Sequence, residues 1–241
     1  MAFKSWRGDV GVIKPTHRPG SLEEFIRLLP EGIGVVPFFL GIQRGTVEEF
    51  QAAINAYEDV VAELAKLEVD LIHPEGAPPF MFQGFEGERK LIESWVERYG
   101  IPMMTSGQVQ VEALRALHMK NIVVSAYTND ETNAMVTAYL EEAGFNVLEN
   151  AGIEVPFEQA GNLSHQQVYS HTKAAVLRHD DCDGILLFGS GWRSLDAIEL
   201  LEQDLELPVV HPVPARVWSV QRRLQINEPV DGFGRLLAEM P

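Results

Sequence analysis

Residues 183–212, DGILLFGSGWRSLDAIELLEQDLELPVVHP, have the outline of a catalytic strand, loop and helix, but no thiol or elbow serine stands at the turn. An apolar strand runs into Gly189-Ser190-Gly191, a helix follows, and the next strand ends on His211. Backbone N–H groups of Ser190 and Gly191, close to the start of a helix, form an anion-binding nest whatever side chains are present. Arg193 adds a bidentate grip on a carboxylate, or else pairs with a surface acid. Ser190 is a weak nucleophile candidate, because GSG is not a GxSxG elbow and no His/Asp partners can be assigned to it.

A second turn carries a carboxyl group. In HPEGAPPF, Glu75 precedes Gly76 and Ala77 and is followed by Pro78, Pro79 and Phe80. Apolar surroundings raise a carboxyl pKa, which suits a general acid or base, so Glu75 is expected to be desolvated and shifted upward. The structural alternative is a carboxylate that caps a helix or pairs with an arginine. His17, His73 and His211 all fall at strand ends, where an imidazole can shuttle protons or ligate a metal. No HxH or HExxH spacing fixes such ligands in one place, so no metal site is assigned. Arg18 and Arg44 are further candidate anion contacts, each in a turn after a strand. Trp192 is read as packing before pocket wall, and Phe80, Phe82 and Phe85, if they face the cleft, imply a bulky or flat ligand. Cys182, in HDDCDGILL ahead of an apolar strand, is read as packing rather than nucleophile.

The elements that must position these residues alternate between strand-length apolar runs and longer segments of helical period, the pattern of parallel sheets covered by helices. Strands are expected at DVGVIKP, GIGVVPFFL, VDLIHPE, PMMTS, NIVVSAY, NVLENAGIE, GILLFGS and PVVHP. In TVEEFQAAINAYEDVVAELAKL, Phe50, Ile54, Tyr57, Val61 and Leu64 share one helical face. Asn129 within TNDE is a helix cap, and Gly144 is a C-terminal stop. Each half offers strand, turn and helix, so the fold class is α/β with two similar Rossmann-like lobes, each a mainly parallel sheet flanked by helices. The ligand cleft lies between them, at the carboxyl ends of the strands. Residues 1–115 with 212–241 are assigned to an N-terminal lobe and 116–211 to a C-terminal lobe. The tail NEPVDGFGRLLAEMP is expected to lie along the surface.

The 241 residues suffice for either one large or two small α/β units. A formal net charge of -16 argues against nucleic acid and anionic membrane surfaces as partners. No apolar run approaches the roughly 20 residues of a spanning helix, and MAFKSWRGDVGVIKP lacks the apolar core of a signal peptide, so the cytoplasm is the expected location. A single cysteine excludes an intrachain disulfide. The sequence leaves a homo-oligomer open.

The succession DGILL…GSGWRSLDAIELLEQDLELPVV, then PARVW and GFGRLL, resembles the aspartate/glutamate racemase superfamily in its arylmalonate decarboxylase and maleate isomerase branch. GVIKP, TVEEF, EALRALHMKNIVVSAY and TNDETNAMVTAYLEEAGF extend the likeness over nearly the whole chain. The resemblance implies proton transfer beside a carboxylate, without a cofactor, by one or two cysteines placed after matching strands of the lobes. Those positions correspond here to Glu75 and Gly189, so both thiols are absent, including the one that the decarboxylase branch keeps as proton donor. The hydroxyl-bearing turn that bonds a substrate carboxylate corresponds to Gly76-Ala77, and the tyrosine after the middle strand is kept as Tyr127. Cys182, seven residues before Gly189, stands at the wrong end of its strand to substitute.

These features lead to an expected cysteine-independent enzyme acting on a small carboxylate or carbonyl compound through an enediolate-like intermediate. Tyr127 and Ser106 orient the anion, and Glu75 or a strand-end histidine moves the proton. A hydrolase of a cyclic amide, with Glu75 activating water, is one alternative. A non-catalytic carboxylate-binding protein is the other.

Overall fold

The computed structural model describes residues 5–17, 20–42, 46–192 and 194–241. The first half of the chain runs β1 (Gly8–Lys14), α1 (Gly20–Leu28), β2 (Ile33–Phe39), α2 (Val47–Lys66), β3 (Leu71–Pro74), α3 (Pro78–Met81), α4 (Gly84–Tyr99) and α5 (Ser106–Ala116). Then come β4 (Asn121–Ala126), α6 (Asp130–Glu142), β5 (Asn146–Gly152), α7 (His165–Val176), β6 (Gly184–Leu187), α8 (Leu195–Leu205), β7 (Val209–Val210), α9 (Pro212–Arg223) and α10 (Arg235–Glu239). Two sheets result, β2-β1-β3 and β5-β4-β6-β7, and every pairing within them is parallel. The expected strand PMMTS is reduced to one parallel bridge from Met103 to Ile72.

Parallel strands need helical crossovers, and the caps are where the sequence fixes them. Thr46, Thr105 and Asn129 accept from the backbone three residues on, and Ser164 forms a reciprocal capping box with Gln167. Tyr57, Val61 and Leu64 of α2 are fully buried against the first sheet, as their spacing requires.

Strand register decides which residues meet above the sheets. Ile13 lies opposite Pro74, and Glu75 N–H donates to the Ile13 carbonyl, so Lys14 and Glu75 leave adjacent strand ends side by side. In the second sheet Ser125 lies opposite Leu187, and Phe188 N–H donates to the Ser125 carbonyl, which sets Tyr127 beside Gly189.

Helix α9 follows the last strand of the second sheet and packs against α5 and α1. Residues 212–221 of α9 are all buried. The tail is largely exposed, as at residues 227–229, 231, 232, 238 and 239, and is anchored by Leu236 and Leu237 of α10, which are buried against α9 and β7. Among the described residues, no helix is long and apolar enough to cross a membrane.

Candidate active site

A cleft of about 1460 Å³ opens at the carboxyl ends of both sheets. Of the candidate residues, Glu75, Gly76, Ala77, Ser106, Tyr127, Gly189, Ser190 and Gly191 line it together. Arg18, Arg44 and Arg193 lie outside the described residues.

The cleft floor is an ion cluster centred on Glu75, which is 3% exposed. Lys14 Nζ lies 3.2 Å from Oε1, and Arg216 Nη1, from α9, lies 2.8 Å from Oε2. Ser21 donates to Oε1 at 2.8 Å and accepts from Lys14 Nζ. From the other sheet, Ser190 Oγ reaches Oε1 at 3.4 Å, a contact that spans the cleft. The Glu75 carbonyl also accepts from Tyr57 OH, at 2.5 Å.

This cluster reverses the expected pKa shift of Glu75. Burial by itself raises it, but Arg216 and Lys14, helped by His73 and the Ser21 hydroxyl, hold the carboxyl at about 2. A carboxylate in that state is a fixed anion at neutral pH and offers no acidic proton. The structural alternative of a paired carboxylate is what the geometry shows. Lys14, Ser21 and Arg216 are the site residues that the sequence patterns did not single out. Their signal was present, since Lys14 ends an apolar strand and Arg216 sits inside the apolar stretch VPARVW.

The histidines do not supply the missing proton either. His17 is exposed, stacks on Phe39 with ring centroids 5.9 Å apart, and is not part of the cleft lining. His211 is fully buried and caps α9: its Nδ1 accepts from Val213 N–H, which leaves Nε2–H to donate to Ser194 Oγ at 2.9 Å. His73 is also fully buried, and its Nδ1–H donates to the Met104 carbonyl at 2.7 Å. Burial first, and then the Arg216 charge, lowers both imidazoles to about 3, so both are neutral. Among the described residues, no three His, Cys, Asp or Glu side chains group as a metal site.

The second turn is built against an aromatic ring. Gly189 has φ +90°, and a Cβ there would stand 2.6 Å from Tyr127 Cε1; at Gly191 it would stand 2.5 Å from the Tyr127 hydroxyl. Gly191 N–H donates to Tyr127 OH at 2.9 Å, so one of the two expected nest donors is spent inside the protein. Trp192 is 1% exposed and packs edge-on against Tyr127. In the first turn, Ser106 Oγ accepts from Gly76 N–H at 3.1 Å, which ties the start of α5 to the residue after Glu75. Phe80, Phe82 and Phe85 are not part of the cleft lining; they pack on Tyr57 and Trp95, Phe50 and Tyr139 respectively. Cys182 precedes β6 at the end away from the cleft, donates to the Gly184 carbonyl, and has its thiol pKa raised by burial.

Comparison with known proteins accords with this architecture. The chain is 26% identical over 239 residues to the arylmalonate decarboxylase of Bordetella bronchiseptica, covering 95% of this chain and 96% of that one. It is 25% identical to a maleate isomerase of Pseudomonas putida over 79% of each chain. The maleate isomerase Iso from Pseudomonas putida S16 superposes with a TM-score of 0.89, at 22% identity, over 97% of this chain and 99% of that one. A liganded double mutant of arylmalonate decarboxylase gives 0.86 at 25% identity, over 96% and 99%. With the arylmalonate decarboxylase family model matching residues 10–237, the chain belongs to that family.

Proposed function

We propose that this protein is a thiol-independent enzyme of its family, taking a small carboxylate or related carbonyl compound through an enediolate-like intermediate formed by decarboxylation or proton removal. The observation that carries this reading is the charge of the cleft floor. Two cations, Lys14 and Arg216, face one anion, Glu75, with both nearby histidines neutral, inside a chain of net charge -16. That excess is local to the floor, since Glu23, Glu24, Glu154 and Asp196 also line the cleft, and it attracts an anion to the floor itself.

Six helices reinforce that field. Ser21, Ser106, Thr132, His165, Asp196 and Pro212 all line the cleft, and each belongs to the first turn of its helix: α1, α5, α6, α7, α8 and α9. The positive ends of six helix dipoles therefore face one volume. When a malonate-type substrate loses carbon dioxide, the bonding pair stays on the α-carbon and spreads onto the remaining carboxylate. Fixed positive potential stabilises that added charge without reorganising. Tyr127, Ser106 and Ser190 are the protic groups that orient the anion, with Gly76, Ala77 and Gly189 leaving room for it. The hydrolase alternative loses support, because His73 and His211 each hold a structural hydrogen bond and none of His17, His73 and His211 lines the cleft.

The test is a thermal-shift screen of malonates, maleate, hydantoins and cyclic imides, followed by turnover and carbon dioxide assays on the wild type and Glu75→Gln. Stabilisation by dicarboxylates with carbon dioxide release in the wild type, reduced at least tenfold in Glu75→Gln, is expected. Binding with no turnover of any compound would make the protein a carboxylate binder instead.

A further inference from the structure

Glu75 holds no acidic proton at neutral pH, and His73 and His211 are neutral and bonded into the fold, so the proton that the family's thiol would deliver needs another source. From the cluster geometry we infer that Lys14 is that source: its ammonium group protonates the α-carbon of the enediolate. The assignment rests on the function proposed above and names its acid.

Lys14 lines the cleft, and its Nζ is held by Ser21 and by both Glu75 oxygens, at 3.2 and 3.4 Å. Among the described residues, the cluster pairs two cations, Lys14 and Arg216, with the one carboxylate of Glu75, an excess of a single positive charge. Arginine keeps its proton at any accessible pH, whereas a lysine in a tuned environment gives one up. Of the two cations, only Lys14 can therefore carry a transferable proton. Arg216 is what makes the loss tolerable: with Nη1 2.8 Å from Glu75 Oε2, it leaves the buried carboxylate paired once Lys14 is neutral. Without Arg216, the neutral amine would strand an anion that is only 3% exposed.

The step balances. An Nζ–H bond breaks and its electron pair stays on nitrogen, while the enediolate's carbon–carbon π pair forms the new C–H bond. The cluster goes from one positive charge to none, and the amine regains a proton from water as product leaves. Register explains the placement, because Lys14 and Glu75 leave neighbouring strand ends of one sheet, opposite the turn at 189–191. Glu75 and Ser21 are then positioning residues, which aim the ammonium rather than react.

The experiment compares wild type, Lys14→Arg and Lys14→Ala with phenylmalonate in D2O, following carbon dioxide release and deuterium at the product α-carbon. Lys14→Arg keeps the charge but cannot pass the proton, so its melting temperature and ligand-induced shift should persist while kcat falls about 100-fold or more. In Lys14→Ala, added primary ammonium ions should restore turnover, more strongly as the ammonium pKa falls at equal concentration of the protonated form, an effect that a purely structural lysine would not produce. Lys14→Arg within threefold of the wild-type kcat would overturn the assignment and leave the proposed reaction standing. An inactive Lys14→Arg with no amine rescue of Lys14→Ala would also overturn it, making Lys14 a charge holder. A wild type that binds phenylmalonate, maleate and cyclic imides yet turns none over would remove the proposed reaction, and this inference with it.

Discussion

The turns at residues 75–77 and 189–191 occupy matching places, each after a strand of its own sheet and each facing the same cleft, yet they are held by opposite means. The first is fixed by ions: a buried carboxylate between Lys14 and Arg216. The second is fixed by shape: two glycines closed down on the Tyr127 ring, with one backbone hydrogen bond to its hydroxyl. An ionic turn can change its charge state and do chemistry. A turn held by steric fit can only position. On the role proposed for Lys14, the loss of the thiol at the second turn is compensated at the first.

Breaking the ionic turn should have the largest effect. Arg216→Met leaves Glu75 with one partner in a buried site, and removing one member of a buried pair costs about 3–5 kcal/mol. Urea unfolding at pH 7 measures it, and a loss below about 1 kcal/mol would show that Lys14 alone balances the carboxylate. The steric turn should give less. Gly189→Ala places a side chain at φ +90° against the Tyr127 ring, with an expected loss of about 1–3 kcal/mol. In a Tyr127→Ala background the ring component of that cost should vanish and leave the backbone strain, so a double-mutant cycle showing no coupling would refute the close fit. For the same reason Gly189→Cys should not restore a working thiol.

The smallest effect separates the two sheets by pH. His73 and His211, one from each, are held at about 3, well below the ordinary value of 6.5. A histidine with a lowered folded pKa contributes its full stability above 6.5 and loses it as pH falls toward 3. Each therefore steepens acid destabilisation by about 1.4 kcal/mol per pH unit across that window. Replacing His211 by Gln should remove about half of this slope between pH 6.5 and 4.5. An unchanged slope would mean that the imidazole is solvated.

The parallel α/β fold was legible because alternating apolar runs and helical periods are local signals, and the caps at Asn129 and Ser164 are local as well. Helix α9 escaped for a physical reason. It opens Pro-Val-Pro and buries Arg216, Ser219 and Gln221 among its apolar residues, so its polar positions do not mark a solvent face. The site was legible in its glycines, Glu75 and Tyr127, but not in its charge balance. Lys14 and Arg216 each interrupt an apolar stretch, which marks them as charges to be paired, but their pairing with Glu75 is created only by strand register and by the return of α9. That pairing also turned the expected upward pKa shift of Glu75 into a downward one.

The return of α9 has a consequence for how the protein is made. Arg216 completes the ion cluster beneath a sheet whose own strands end at Pro74, and Arg216 Nη2 donates to the Ser21 carbonyl near the start of α1. On the ribosome, the first sheet is therefore finished long before the second cation of its buried cluster has been translated. Until then Lys14 alone pairs with Glu75, and the positive excess of the cleft floor is expected to arise only after residue 216 has emerged and α9 has docked on the first sheet's helices.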